Sequence, residues 1–256
     1  PSSLESEGTS SVVDLVGRLH DPTVRVPGLT IVRALDDLFT GTAHAGDIGA
    51  IAEHENIASI ELAKPVLPML SVSVPEIRAS FDQISAVMPD ELPVPNGANV
   101  VVGIIDSGCD FAHRNFRNSD GSTRLLFLWD QQGGMDQNLS PDGYFYGREF
   151  DSTTINAALA ATDPYVALSY DPNKAAHGTH VMDIAAGNGS ATGNPGVAPS
   201  ADIIFVDMVG GVAGQDQSFG NSRYLMEATE YIFAKAAELR RDAVINISQG
   251  THGGPH

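Results

Sequence analysis

The stretch VVGIIDSGCD, residues 101–110, is an apolar run that stops abruptly in an aspartate, a serine and a glycine. Such a run reads as a central parallel strand, buried on both faces, whose carboxyl end carries function. Residues 175–187, AAHGTHVMDIAAG, place His177 after a polar loop at the start of a small-residue helix. From there its imidazole can project over the same edge of the sheet as Asp106. An aspartate that orients and a histidine that takes a proton are two members of a nucleophilic triad. Taken alone, Asp106 reads equally well as a cap on the segment that follows it. A metal site from His177 and His180 is disfavoured, because zinc-binding helices place two histidines four apart around a glutamate. His180, one turn along, is expected to face inward as a structural hydrogen-bonding residue. No strand is followed by G-x-G-x-x-G or by G-x-x-x-x-G-K-S/T, so a nucleotide-binding domain lacks its phosphate loop.

Working outward, strands at Ala98 to Asp106, Asp202 to Met208 and Ala243 to Ser248 alternate with helices at 177–187 and Asn221 to Arg241. In the long helix Leu225, Thr229, Ile232, Ala236 and Leu239 recur along one face. The alternation predicts an α/β fold with a doubly wound parallel sheet. Upstream, Leu29 to Leu35 and Ile57 to Ala63 read as strands flanking a short helix that Asp47 caps, with Thr40-Gly41-Thr42 as a turn. Residues 1 to about 28 are Ser-rich and weakly patterned. An amphipathic helix from Pro75 carries Ile77, Phe81, Ile84 and Met88 near one face, and the Pro-rich MPDELPVPNG (88–97) ends it. These features place a small α+β domain at 1–90 and the α/β domain at 91–256.

With 14 basic against 32 acidic residues, the net charge of -18 argues against nucleic acid or an anionic membrane as partner. Calcium, cationic substrates and simple solubility are all compatible with that charge, solubility being the commonest reason for it. A single cysteine, Cys109, cannot form an intrachain disulfide and is expected to be a small buried apolar group. No run approaches the roughly 18 apolar residues of a membrane span. The chain opens on a polar stretch rather than a signal segment, and its compartment, secreted or cytoplasmic, stays open.

The DSG of residues 106–108, the HGTH of 177–180, GNPGVAPSADIIFVDM (193–208, with its GVAP turn) and VINISQG (244–250) together resemble the subtilisin-like serine peptidases over residues 96–256. The resemblance implies a subtilisin-like sheet, here incomplete, with Asp106 and His177 catalytic. It implies that Ser248, Gln249 and Gly250 line the cleft and pair through their backbone with a polypeptide substrate. The N-terminal α+β pattern resembles the propeptide domains that precede such catalytic domains, whose tail runs into the cleft. LPMLSVSVPEIRAS (67–80) is extended and apolar enough for that, although the helix from Pro75 can equally lead the chain away.

Several departures from the family accompany the match. Met182-Asp183 stands where Ala-Gly is usual, so the helix packs differently, and Gln249 replaces a leucine. Asn115 stands where many members carry a calcium-liganding aspartate, so no cofactor or metal is assigned. Asp106 and His177 lie 71 positions apart, against roughly 32 in the template numbering. The excess, containing DGSTRLLFLWDQ and FYGREF, reads as a hairpin plus loop at the rim of the cleft, of a kind that resembles bacterial spore-germination peptidases. The serine is expected roughly 157 positions after the histidine, near residue 334. The sequence therefore reads as the N-terminal portion of a serine endopeptidase, a zymogen or processed chain whose partner segment carries the nucleophile. The alternative is a non-catalytic, pseudoprotease-type binding protein that uses the same cleft.

Overall fold

Alternation along residues 100–106 sends side chains to both faces of one sheet, and everything that positions the site follows from it. The computed structural model describes residues 11–63, 67–68, 78, 81–89, 93–134, 136, 138–172, 176–208 and 222–250. The chain divides into two units, residues 1–64 with 221–227, and 65–220 with 228–256.

The first unit is a four-stranded antiparallel sheet of β1 (Val12–Leu19), β2 (Thr30–Leu35), β3 (Leu38–His44) and β4 (Ile57–Leu62), in the order β2-β3-β1-β4. A short helix, α1 (Ile48–Ala52), covers it with Ile51, and Leu15, Leu19, Val26 and Phe39 fill the core. Two expectations are corrected here. Residues 12–19 are a strand rather than unpatterned chain. Thr40-Gly41-Thr42 is no turn but the middle of β3. The reversal falls at Asp36-Asp37, where Asp36 takes a left-handed φ of 51°. Gly41 serves close pairing, since a Cβ there would meet the Thr30 carbonyl at 2.7 Å. Asp47 does stand at the start of α1, yet its side chain makes no capping hydrogen bond. In the same unit Arg223 pairs with Asp14 (2.6 Å) and Glu227 (3.1 Å), and the buried Glu227 accepts from Thr40 Oγ1 (2.8 Å).

The second unit begins with β5 (Leu67–Pro68) and α2 (Phe81–Ser85); the start of the expected helix, with Pro75 and Ile77, lies outside the described residues. Its main sheet joins β6 (Val100–Asp106), β7 (Leu125–Asp130), β8 (Arg148–Asp151), β9 (Asp202–Asp207) and β10 (Asp242–Ile247) in the order β10-β6-β9-β7-β8. All pairings are parallel except β7 with β8. The helices are α3 (Ser152–Leu159), α4 (Pro164–Leu168), α5 (His177–Ala186) and α6 (Ser222–Glu238), the last passing from the first unit into the second. A two-residue strand, β11 (Gln249–Gly250), follows β10.

Val102 and Ile104 share one buried cluster with Val181, Met182 and Ala186 of α5 and with Ile203 and Phe205 of β9. On the opposite face Gly103 lies against Ile232 of α6. Each fully buried Leu, Ile or Phe side chain contributes about 1.5–3 kcal/mol. The DGSTRLLFLWDQ segment is more than a rim hairpin. It pairs with FYGREF as expected, but its strand β7 also joins β9 inside the main sheet, with Leu125, Leu128 and Trp129 fully buried. An apolar strand of that length is stable only between two neighbours, which the sheet supplies.

A Cβ on Gly103 would lie 2.7 Å from Cγ2 of Ile232 and 3.2 Å from Cγ1 of Ile245. Gly103→Ala is therefore expected to destabilise the fold by about 1–3 kcal/mol through overpacking. Urea denaturation reads this directly, and an unchanged midpoint would show that Ile232 moves aside freely.

Candidate active site

Asp106 ends β6 at the carboxyl edge of the sheet, with no exposed surface. A buried carboxylate is costly unless donors surround it. Two are in place: its Oδ1 accepts the Ser107 backbone N–H (2.7 Å) and lies 2.6 Å from Nδ1 of His177. An ionised carboxylate only accepts, so Nδ1 carries the proton of that bond, which in a neutral ring makes Nε2 the acceptor nitrogen. The His177 side chain is 21% exposed, and its Nδ1 edge is held against Asp106.

The HGT motif explains how a helix is brought so close. Gly178 is buried against β6, where a Cβ would meet the Gly108 carbonyl at 2.7 Å and Cβ of Asp106 at 3.0 Å. Room for that close approach is what this glycine supplies. Its N–H donates to the Ser107 carbonyl (2.8 Å), which caps α5 in place of a side chain. Thr179 bridges, its hydroxyl donating to the Gly108 carbonyl (3.3 Å) and accepting the Asp110 N–H (2.8 Å). His180 is exposed, contrary to expectation, because α5 buries Gly178, Val181, Met182 and Ala186 and turns position 180 to the other side. Cys109 is fully buried, and burial, with Asp207 and Asp110 nearby, pushes its thiol well above the usual range. A thiol so held is a poor nucleophile.

The loop after α5 is closed without any charge-for-charge pairing. Asn115, fully buried, donates its amide to Asp183 Oδ1 (2.7 Å) and Thr192 Oγ1 (3.3 Å) and accepts the Ala191 N–H (2.7 Å). The buried Arg124 guanidinium donates to the carbonyls of Asn115 (3.1 Å), Ala186 (2.7 Å) and Ala201 (2.5 Å). Desolvation lowers its pKa to about 10.

Ser248 follows β10, its hydroxyl donating to Oδ1 of Asn246 (2.8 Å). Gln249 and Gly250 form β11, which pairs antiparallel with β5, Gln249 opposite Pro68 and Gly250 opposite Leu67. The head of the LPMLSVSVPEIRAS stretch thus lies by backbone pairing on two of the three residues expected to receive a peptide. The rest of that stretch up to Ile77 lies outside the described residues. Sequence reasoning missed Asp207, Tyr170 and Tyr165, which hold the turn after Asp106. Their only signal was an aspartate ending a second apolar strand, at 202–207.

A sequence profile of the subtilase family matches residues 97–256. Tripeptidyl-peptidase 2 of Drosophila melanogaster is 30% identical over 166 residues, 63% of this chain and 11% of that protein. The major intracellular serine protease of Bacillus subtilis is 28% identical over 121 residues, 47% of this chain and 27% of that protein. The chain therefore spans a minor part of both relatives. Among solved structures, the Clostridium perfringens CspB protease aligns with a TM-score of 0.54 at 27% identity, over 68% of this chain and 33% of that one. Fervidolysin of Fervidobacterium pennivorans shares the fold, with a TM-score of 0.54 at 15% identity, over 98% of this chain and 37% of its own. With the profile spanning more than half of its length, and with this aspartate and histidine at the sheet edge, the chain belongs to the subtilase family of serine peptidases.

Proposed function

We propose that this chain supplies the orienting aspartate and the general base of a serine endopeptidase, and that a further segment supplies the serine. The observation that carries this reading is the 2.6 Å contact between His177 Nδ1 and the buried Asp106 Oδ1. Asp106 fixes the ring in the tautomer whose Nε2 is basic. Nε2 removes the proton from a serine hydroxyl as that oxygen attacks the substrate carbonyl, then returns it to the leaving amine. Asp106 stays ionised throughout and stabilises the imidazolium. Strand β10 supports a further segment, because among the described residues it has a neighbour on one side only while Val244 and Ile247 stand 57% and 39% exposed.

In the full-length protein His177→Ala is expected to lower kcat on the order of 10⁶-fold and Asp106→Asn about 10⁴-fold. Steady-state kinetics on a peptide substrate measures this, with circular dichroism to confirm folding. Either variant within tenfold of wild type would remove that residue from the triad.

Residues 1–90 act as a propeptide-like domain, and the segment at Leu67-Pro68 occupies the peptide-binding strand as a poor substrate. Its antiparallel pairing with Gln249-Gly250 supports this. A synthetic peptide of residues 63–74, added to the enzyme shortened by residues 1–72, should raise the apparent KM and leave kcat unchanged. Lack of inhibition, or inhibition that substrate does not relieve, would argue that the pairing serves structure alone.

The 187–196 loop works without calcium. Asn115 turns an N–H donor toward the Asp183 carboxylate, and a donor in that place cannot ligate a cation. A chelator is expected to leave the melting temperature unchanged. Asn115→Asp would set a buried carboxylate against the half-buried Asp183 carboxylate and lower the melting temperature, and added calcium should restore part of the loss. Melting that falls with chelator in the wild type would reverse this assignment.

A further inference from the structure

Four consecutive backbone amides follow Asp106, and each donates to a side-chain acceptor rather than to the sheet. Ser107 N–H goes to Asp106 Oδ1 (2.7 Å), Gly108 N–H to Asp207 Oδ1 (3.1 Å), Cys109 N–H to Tyr170 Oη (2.9 Å) and Asp110 N–H to Thr179 Oγ1 (2.8 Å). The middle two acceptors are linked, because the Tyr170 hydroxyl donates to Asp207 Oδ2 at 2.5 Å. Asp207 ends β9 directly beside Asp106 in the parallel register, and it and Tyr170 are 3% and 5% exposed. Tyr170 follows α4 in the long excursion between the two catalytic positions. From the same excursion Tyr165 donates to Asp110 Oδ1 at 2.5 Å and packs edge-on to Phe111, 5.3 Å between ring centres.

This hydrogen bonding is directional. Asp207, acceptor-only when ionised, takes one N–H and one O–H, while the tyrosine hydroxyl gives its proton to the acid and receives the Cys109 amide. Burial and the adjacent carboxylate push the Tyr170 phenol well up, so it remains a donor. The chain from Asp106 to Asp110 is therefore fixed from the sheet side by Asp207, from the excursion by Tyr170 and from α5 by Thr179.

We propose that Asp207 and Tyr170 form a brace that sets the position of the Asp106 carboxylate and, through it, the His177 ring. They are positioning residues for the reaction assigned above, and the proposal rests on that assignment. The excursion between Asp106 and His177 is then a working part of the site. Losing the Tyr170 hydroxyl leaves the Cys109 N–H and one Asp207 oxygen without this partner in a buried setting, and the turn relaxes to satisfy them. Small displacements of a catalytic group reduce turnover more than they reduce binding.

The test compares wild type with Tyr170→Phe. In the 256-residue chain, proton NMR should show a downfield Nδ1–H resonance for His177 bonded to Asp106, identified by its loss in His177→Ala. In folded Tyr170→Phe that resonance should move upfield or vanish through solvent exchange, which a merely structural role would not cause. In the full-length enzyme the same substitution should lower kcat about tenfold or more and keep KM within about twofold. Asp207→Asn, whose Oδ1 still accepts the Gly108 N–H, should give an intermediate shift in both readouts. It decides the matter alone if Tyr170→Phe does not fold. Should neither variant fold, hydrogen exchange of wild type decides: slow Gly108 and Cys109 amides support the brace, and exchange as fast as at exposed Ser119 and Asp120 overturns it. An unchanged His177 resonance in a folded variant also overturns it. If the resonance moves while full-length wild type hydrolyses no peptide, the brace stands and the peptidase assignment falls.

Discussion

A carboxylate with no solvent-exposed surface at the end of a strand is the constraint on which the rest of this structure depends. Asp106 has lost its water, and only donors arranged around it make its ionised form tolerable. The immediate donors, the Ser107 amide and the His177 ring, come from the strand itself and from the first turn of α5. Bringing a helix that near requires a residue without a side chain at position 178 and a carbonyl to meet its amide, and both are present. Orientation of the base and stability of the buried acid are thus one arrangement seen from two sides.

The same demand recurs across the sheet edge. In the parallel register Asp106 stands beside Asp207, and Asp207 beside Asp130. Three neighbouring strands therefore end in carboxylates, and each receives a different counterpart. Asp106 has an imidazole, Asp207 a phenol and a backbone amide, and Asp130 the Arg148 guanidinium at 3.0 Å. Only the imidazole can both accept and release a proton near neutral pH.

The excursion between Asp106 and His177 contributes more than a surface loop would. It adds β7 and β8 to the sheet and sends Tyr165 and Tyr170 back to the turn after Asp106. Around Trp129 it also builds an aromatic cluster with Tyr144, Tyr146 and Tyr231, ring centres 4.7–5.3 Å away. Below α5, the amide of Asn115 and the guanidinium of Arg124 satisfy loop oxygens with N–H donors. That choice keeps the site's supporting loops within protein hydrogen bonding.

By itself the sequence determined the parallel sheet, the subtilase family and the pairing of Asp106 with His177. Local patterns carry all three: apolar strands with polar stops, a glycine beside a histidine at a helix start, and the VINISQG segment. At the head of the 67–80 stretch, Leu67-Pro68 lies against Gln249-Gly250 by backbone pairing. Tertiary structure decided what depends on neighbours distant in sequence. Thr40-Gly41-Thr42 looks like a turn until β1 and β2 flank it, and the apolar strand at 125–130 looks like a hairpin arm until β9 takes its other edge. His180 is exposed because the faces of α5 are set by where β6 lies, not by the residue's polarity. Asp207 and Tyr170 carried no motif, since hydrogen bonds to amides 99 and 61 positions away leave no periodicity in the chain. Local propensity and pattern are written in adjacent residues, whereas the partner of a buried polar atom is fixed only when the strands are in register.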